Sequence, residues 1–153
     1  MRSFTALFFL SACTPPGAPI AAALNRELGR PELSCAPSKR CVDFEYAEMP
    51  TPRMLGRVVW RGGHWIVQVS RGLDGGRENL VILHELGHVL GVSHSLDPRS
   101  VMFPIVQDKQ SDESLNEAVV EVARSSFSYM PPILGAASET FELEVTYKGK
   151  PIK

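Results

Sequence analysis

Eleven consecutive residues constrain this chain more than anything else in it: His84-Glu85-Leu86-Gly87-His88-Val89-Leu90-Gly91-Val92-Ser93-His94. On a helix, a four-residue step rotates a side chain by only about 40° and advances it by about 6 Å. His84 and His88 therefore face the same way and can reach one ion together. Glu85 stands next to His84, placed to hydrogen-bond a water on that ion and to take its proton. Gly91 breaks the helix and lets the chain turn, which brings His94 round as a third nitrogen ligand. Three protein ligands leave a fourth tetrahedral position for water, the pattern of a catalytic rather than a structural zinc. Three of the chain's four histidines fall in this stretch, so a chance set of core or surface imidazoles accounts for it poorly. The fourth, His64, adjoins a glycine turn and reads as a strand or surface residue.

The flanking periodicities give the scaffold. Leu80, Val81, Leu83, Leu86, Val89 and Leu90 form the broad apolar face of a helix over 78–90, with Glu78 in its first turn, where the helix dipole favours an acid. A short helix is expected over 20–28, stopped by Gly29 and Pro31. Alternation predicts strands over 42–46, 57–60 and 65–70, the last two joined at Gly62-Gly63. Leu115, Ala118, Val119, Val122 and Ser126 mark an amphipathic helix over 112–127. Phe141, Leu143, Val145 and Tyr147 alternate with polar residues, a half-buried strand that this plan does not position. The expected class is α+β: a small twisted mixed sheet over the metal-binding helix, with a C-terminal helix below.

The pattern H-E-x-x-H-x-x-G-x-x-H is the signature of the metzincin metalloproteases. The run that follows, His94-Ser95-Leu96-Asp97-Pro98-Arg99-Ser100-Val101-Met102-Phe103-Pro104, resembles the matrixin branch, with Phe103 where a tyrosine is usual. The resemblance covers residues 78–104. It implies one catalytic Zn2+ on His84, His88 and His94, with Glu85 as general base and Met102 as the methionine of the turn beneath the metal. It also implies hydrolysis of peptide bonds in a protein or peptide substrate without a covalent enzyme intermediate. Such clefts bind substrate extended and antiparallel to an edge strand, here expected to be Trp65 to Ser70. Pro104-Ile105-Val106 would wall an apolar pocket beyond the scissile bond. Upstream of residue 78 the resemblance thins: no paired His/Asp pattern for a second zinc and no acidic calcium loop precede the motif, so the chain looks like a reduced metzincin.

Residues 1–13 follow the order of a secretory signal, one positive charge and a short apolar run before Leu10-Ser11-Ala12-Cys13. That ending resembles a bacterial lipobox, which implies lipidation at Cys13; an apolar helix packed on the domain is the plainer alternative. Three prolines within 14–19 make a tether, and 20–153 is expected to form one domain. With Cys13 acylated, Cys35 and Cys41 remain as an even pair for an oxidising compartment, able to close a small disulfide loop; the same spacing also suits two free thiols. The expected location is the cell envelope, as an exported lipoprotein, or the medium. Sixteen basic against seventeen acidic residues give a net charge of −1, no general attraction for nucleic acid. Membrane contact is expected only through the lipid, and the chain as a monomer. A catalytically inactive zinc-bearing surface module is the competing function, and the presence of Glu85 argues against it.

Overall fold

The computed structural model describes residues 17–29, 33, 41–106, 115–128 and 143–147. Helix α1 (Ala18–Glu27) opens the described chain. It takes in Ala18 and Pro19, which sequence reading assigned to the tether; a proline in the first turn has no helical N–H to lose. Ile20, Ala21 and Leu24 are its buried residues, and the Asn25 side chain holds both the N–H and the carbonyl of Leu33.

Strands β1 (Val42–Ala47), β2 (Met54–Arg61) and β3 (His64–Ser70) fall where the alternation predicts them. The β2–β3 hairpin closes through Gly62 and Gly63 at φ +62° and +87°. Positive φ at both positions matches the type I′ turn, whose twist suits paired strands. Helix α2 (Gly75–Val89) begins three residues earlier than the apolar pattern suggests, because Asp74 caps it by accepting from the Arg77 N–H at 2.9 Å. Two residues after the turn that contains Met102 comes β4 (Ile105–Val106), and helix α3 spans Leu115–Ser128. Residues 112–114, expected at the start of α3, lie outside the described residues.

Strand β5 (Leu143–Tyr147) is the element that sequence left unplaced, and it joins the sheet. The strand order is β1-β3-β2-β5-β4, with β1 and β3 parallel, β2 antiparallel to both β3 and β5, and β4 parallel to β5. This corrects one expectation. The strand over Trp65 to Ser70 is not an edge, since β3 is paired on both sides and β2 stands between it and the rest of the sheet. Register pairs Val58 with Val67 and Gly56 with Val69 on the face toward α2. There Leu55, Val58, Val67 and Val69 join Leu80, Val81, Leu83 and Leu86 in one apolar cluster. Helix α3 seals the other side of α2 with Ala118, Val119, Val122 and Ala123. The layers are sheet, α2, then α3 with α1. Among the described residues, no helix is long and apolar enough to cross a membrane.

Candidate active site

The last turn of α2 decides where the third histidine goes. Leu90 is the C-cap and Gly91 follows at φ +85°. The Gly91 N–H donates to the His88 carbonyl and the Val92 N–H to the Gly87 carbonyl, both at 2.9 Å. This pair of bonds is the Schellman ending, which needs a left-handed residue that glycine supplies without strain. The chain leaves the helix sharply there, and His94 returns toward the face that carries His84 and His88.

The Nδ1 atoms of the two helical histidines are committed to main-chain carbonyls. His84 Nδ1 lies 2.7 Å from the Val101 carbonyl and His88 Nδ1 lies 2.9 Å from that of Val92. A carbonyl only accepts, so each Nδ1 carries the proton and each Nε2 is a bare lone pair. The two lone pairs meet, His88 Nε2 lying 3.0 Å from His84 Nε2, and His94 Nε2 joins them 3.1 Å from His88 Nε2. Bare nitrogens so close repel one another unless a cation stands between them. Tetrahedral zinc with Zn–N bonds of about 2.0–2.1 Å would set them about 3.4 Å apart, so the cluster needs to open by only a few tenths of an ångström. The donor set therefore fits one zinc. Among the described residues, these three histidines are the group of potential ligands that comes together this way.

Burial keeps the ligands neutral. His84 is pulled from its ordinary value of 6.5 down to about 3, first by loss of water and then by the neighbouring His88. His88 falls to about 4 for the same leading reason, and His94, the most exposed of the three, is also lowered. Neutral imidazole is the form that binds metal, so at neutral pH the site is ready without losing protons.

Glu85 is fully buried beside them, and neither carboxylate oxygen has a hydrogen-bond partner among the described residues. Burial alone raises its pKa well above the usual carboxylate range. A buried, unpartnered carboxylate costs stability, and a functional role is one reason for a fold to keep it. Strand β2 makes room for it: a Cβ on Gly56 would lie 3.1 Å from Glu85 Oε1 and 2.5 Å from Val81 Cγ1.

The turn at Met102 supports the cluster from below. Met102 is almost wholly buried, and a Cβ on Gly87 would stand 2.5 Å from its sulfur and 2.9 Å from its methyl. Gly87 thus lets the turn close on the helix between the two ligating histidines. The Met102 carbonyl accepts from the N–H of Ser95, which ties down the loop carrying His94, and Val101 supplies the carbonyl that orients His84. Glu121 of α3 fixes the turn by accepting from the Ser100 hydroxyl and the Val101 N–H, while Ser100 Oγ accepts from the Met102 N–H. Replacing Gly87 with Ala is expected to destabilise the fold by about 1–3 kcal/mol, the usual penalty for overpacking. Chemical denaturation of the metal-free protein checks this: a midpoint equal to wild type would show that the turn has slack.

Sequence reading found His84, Glu85, His88, His94 and Met102, and the structure gathers all five. His64 is not among them; it begins β3 with its Nε2 3.3 Å from Asp43. Cys13 and Cys35 lie outside the described residues. Gly56, Gly87 and Glu121 were missed as site residues. The spacing of Gly87, between the histidines and opposite a methionine, was the available signal for one of them; nothing local marks Glu121 or Gly56.

Comparison with known proteins extends the resemblance well past the motif. Residues 47–125 match the family model of the matrixins. The Probable matrix metalloproteinase 095L of Invertebrate iridescent virus 3 is 46% identical over 39 residues, 26% of this chain and 11% of its own length. Macrophage metalloelastase of Oryctolagus cuniculus is 51% identical over 35 residues, 23% of this chain and 8% of its own length. Matrix metalloproteinase-16 of Homo sapiens is 49% identical over 39 residues, 26% of this chain and 6% of its own length. The chain thus covers only a small part of each of these relatives. No solved structure gives a significant match. Because the family match runs from the end of β1 into α3, just over half of the chain, this protein belongs to the matrixins, a family of zinc metalloproteases.

Proposed function

We propose that this protein is a zinc endopeptidase. The observation that carries the reading is the convergence of three neutral histidine nitrogens beside a buried carboxylate with no other partner. His84, His88 and His94 would hold one zinc. When bound, that ion supplies a Lewis acid that brings the pKa of water toward about 7 and draws on the oxygen of the scissile carbonyl. Glu85 accepts the proton of the attacking water and returns it to the departing amine. Both of its oxygens are buried without a hydrogen-bond partner among the described residues, so either can exchange that proton. Main-chain N–H groups near the cleft assist the developing oxyanion.

The substrate is a protein or peptide bound extended, and the apolar residues Pro104, Ile105 and Val106 favour a hydrophobic side chain beyond the scissile bond. Residues 1–13 direct export, Cys13 is acylated, and the proline-rich stretch after it holds a monomeric domain off the membrane at the cell envelope. Cys35 is the natural partner for Cys41, and the two close a small disulfide loop suited to an oxidising compartment.

The decisive test is digestion of a mixed peptide library by protein of measured zinc content, with and without a chelator. Cleavage that follows zinc through removal and restoration is the expected result. Stoichiometric zinc without cleavage of any peptide would leave a zinc-bearing binding module.

A further inference from the structure

Strand β5 occupies the place where a substrate for this site would have to lie. A peptide whose carbonyl reaches the histidine cluster beside Glu85 has two main-chain edges to bind along. One is the outer edge of β2, whose Gly56 stands against Glu85 Oε1. The other is β4, which begins three residues after Met102. β5 takes both: it pairs antiparallel with β2, Gly56 against Val145 and Val58 against Leu143, and parallel with β4, Ile105 against Thr146. It also packs against α2, the helix that carries His84, Glu85 and His88. β2 and β4 do not pair with each other. Taken away, β5 would leave a slot two strand spacings wide, about 10 Å, which fits one extended peptide and no more.

From this juxtaposition we infer that β5 is an intramolecular competitor for peptide in the slot between β2 and β4. The inference rests on the peptidase reading for its consequence: the chain restrains its own cleavage of other peptides until β5 is displaced. The strand belongs to the same polypeptide, so its effective concentration is on the order of millimolar. A strand that binds in trans with a Kd of about 100 µM would then hold the slot closed roughly tenfold in favour of β5.

The test uses the zinc-loaded full chain and the double variant Val145→Pro/Thr146→Pro. Neighbouring N–H groups of a strand point to opposite sides, so the two prolines remove one donor toward β2 and one toward β4. Two readouts are taken: cleavage of a quenched fluorescent peptide, and binding of a labelled synthetic peptide of residues 141–149 by anisotropy. The variant is expected to cleave about tenfold faster than wild type and to bind the 141–149 peptide where wild type does not. Added peptide should return the variant to the wild-type rate. If neither protein cleaves but only the variant binds the peptide, the competitor stands and the peptidase reading falls. Equal cleavage with no difference in peptide binding overturns the competitor. Should the variant lose its circular dichroism, amide exchange on the wild type decides: protection at 143–147 and along β2 supports β5 in the slot, and exchange at free-chain rates over 143–147 overturns it.

Discussion

Glu85→Gln is expected to keep zinc binding near wild type while slowing peptide hydrolysis by roughly 100- to 10,000-fold, the usual worth of general-base catalysis. The two halves of this result have separate origins. The atoms proposed to hold zinc are the Nε2 nitrogens of His84, His88 and His94, whose convergence does not involve the carboxylate. Gln fills the same volume, so the apolar surroundings of residue 85 and its closeness to Gly56 stay as they are. What is lost is the carboxylate whose buried oxygens have no hydrogen-bond partner among the described residues and so are open to a proton from water. The metal-free variant should also be at least as stable as wild type, because an amide loses less than a carboxylate when water is excluded without hydrogen bonds in return. Zinc stoichiometry, steady-state cleavage and a thermal melt on one preparation read all three. Full activity in Glu85→Gln would remove Glu85 from the mechanism.

His88→Ala should fail differently, losing zinc and activity together. His88 Nε2 lies within about 3 Å of both other ligand nitrogens, so its removal leaves His84 and His94 to bind alone. Loss of an outer hydrogen-bond partner to a ligand costs 10- to 100-fold in metal affinity; loss of the ligand itself should exceed about 100-fold. The substitution also strips the Val92 carbonyl of its donor, a burial penalty of about 1–3 kcal/mol. The clearest measurement is the zinc dependence of unfolding. At zinc a hundredfold above its Kd, wild type should gain about 2.7 kcal/mol, and His88→Ala under the same conditions should gain almost nothing. His64→Ala, which alters an exposed contact with Asp43, serves as the control and should match wild type. An equal gain in His88→Ala would mean that the ion is held elsewhere.

The histidine cluster was legible because its geometry is local: a four-residue step on a helix and a glycine exit fix three imidazoles within eleven residues. Local signals also placed β1, the β2–β3 hairpin and the core face of α2. Asp74 as the cap of α2 was readable too, since an acid before two glycines and an arginine competes with the apolar pattern for where the helix starts. The rest depends on contacts distant in sequence. Nothing around Glu121 announces that its carboxylate will clasp a turn twenty residues earlier. Alternation in 141–147 announces a strand but carries no address, since pairing with β2 requires the chain to come back across the sheet. The same limit misplaced the edge: alternation in β3 does not reveal that β1 pairs with it in parallel on one side while β2 pairs on the other, which makes it interior.

The outer partners of His84 and His88 are main-chain carbonyls, those of Val101 and Val92. A side-chain partner can be deleted by one nucleotide change; a carbonyl is present whatever residue occupies the position. The tautomer that exposes each Nε2 is therefore insulated from substitution at residues 92 and 101, so long as the replacement packs as valine does. Drift in this lineage should accordingly alter side chains around the histidine cluster well before it alters which ring nitrogens the cluster presents.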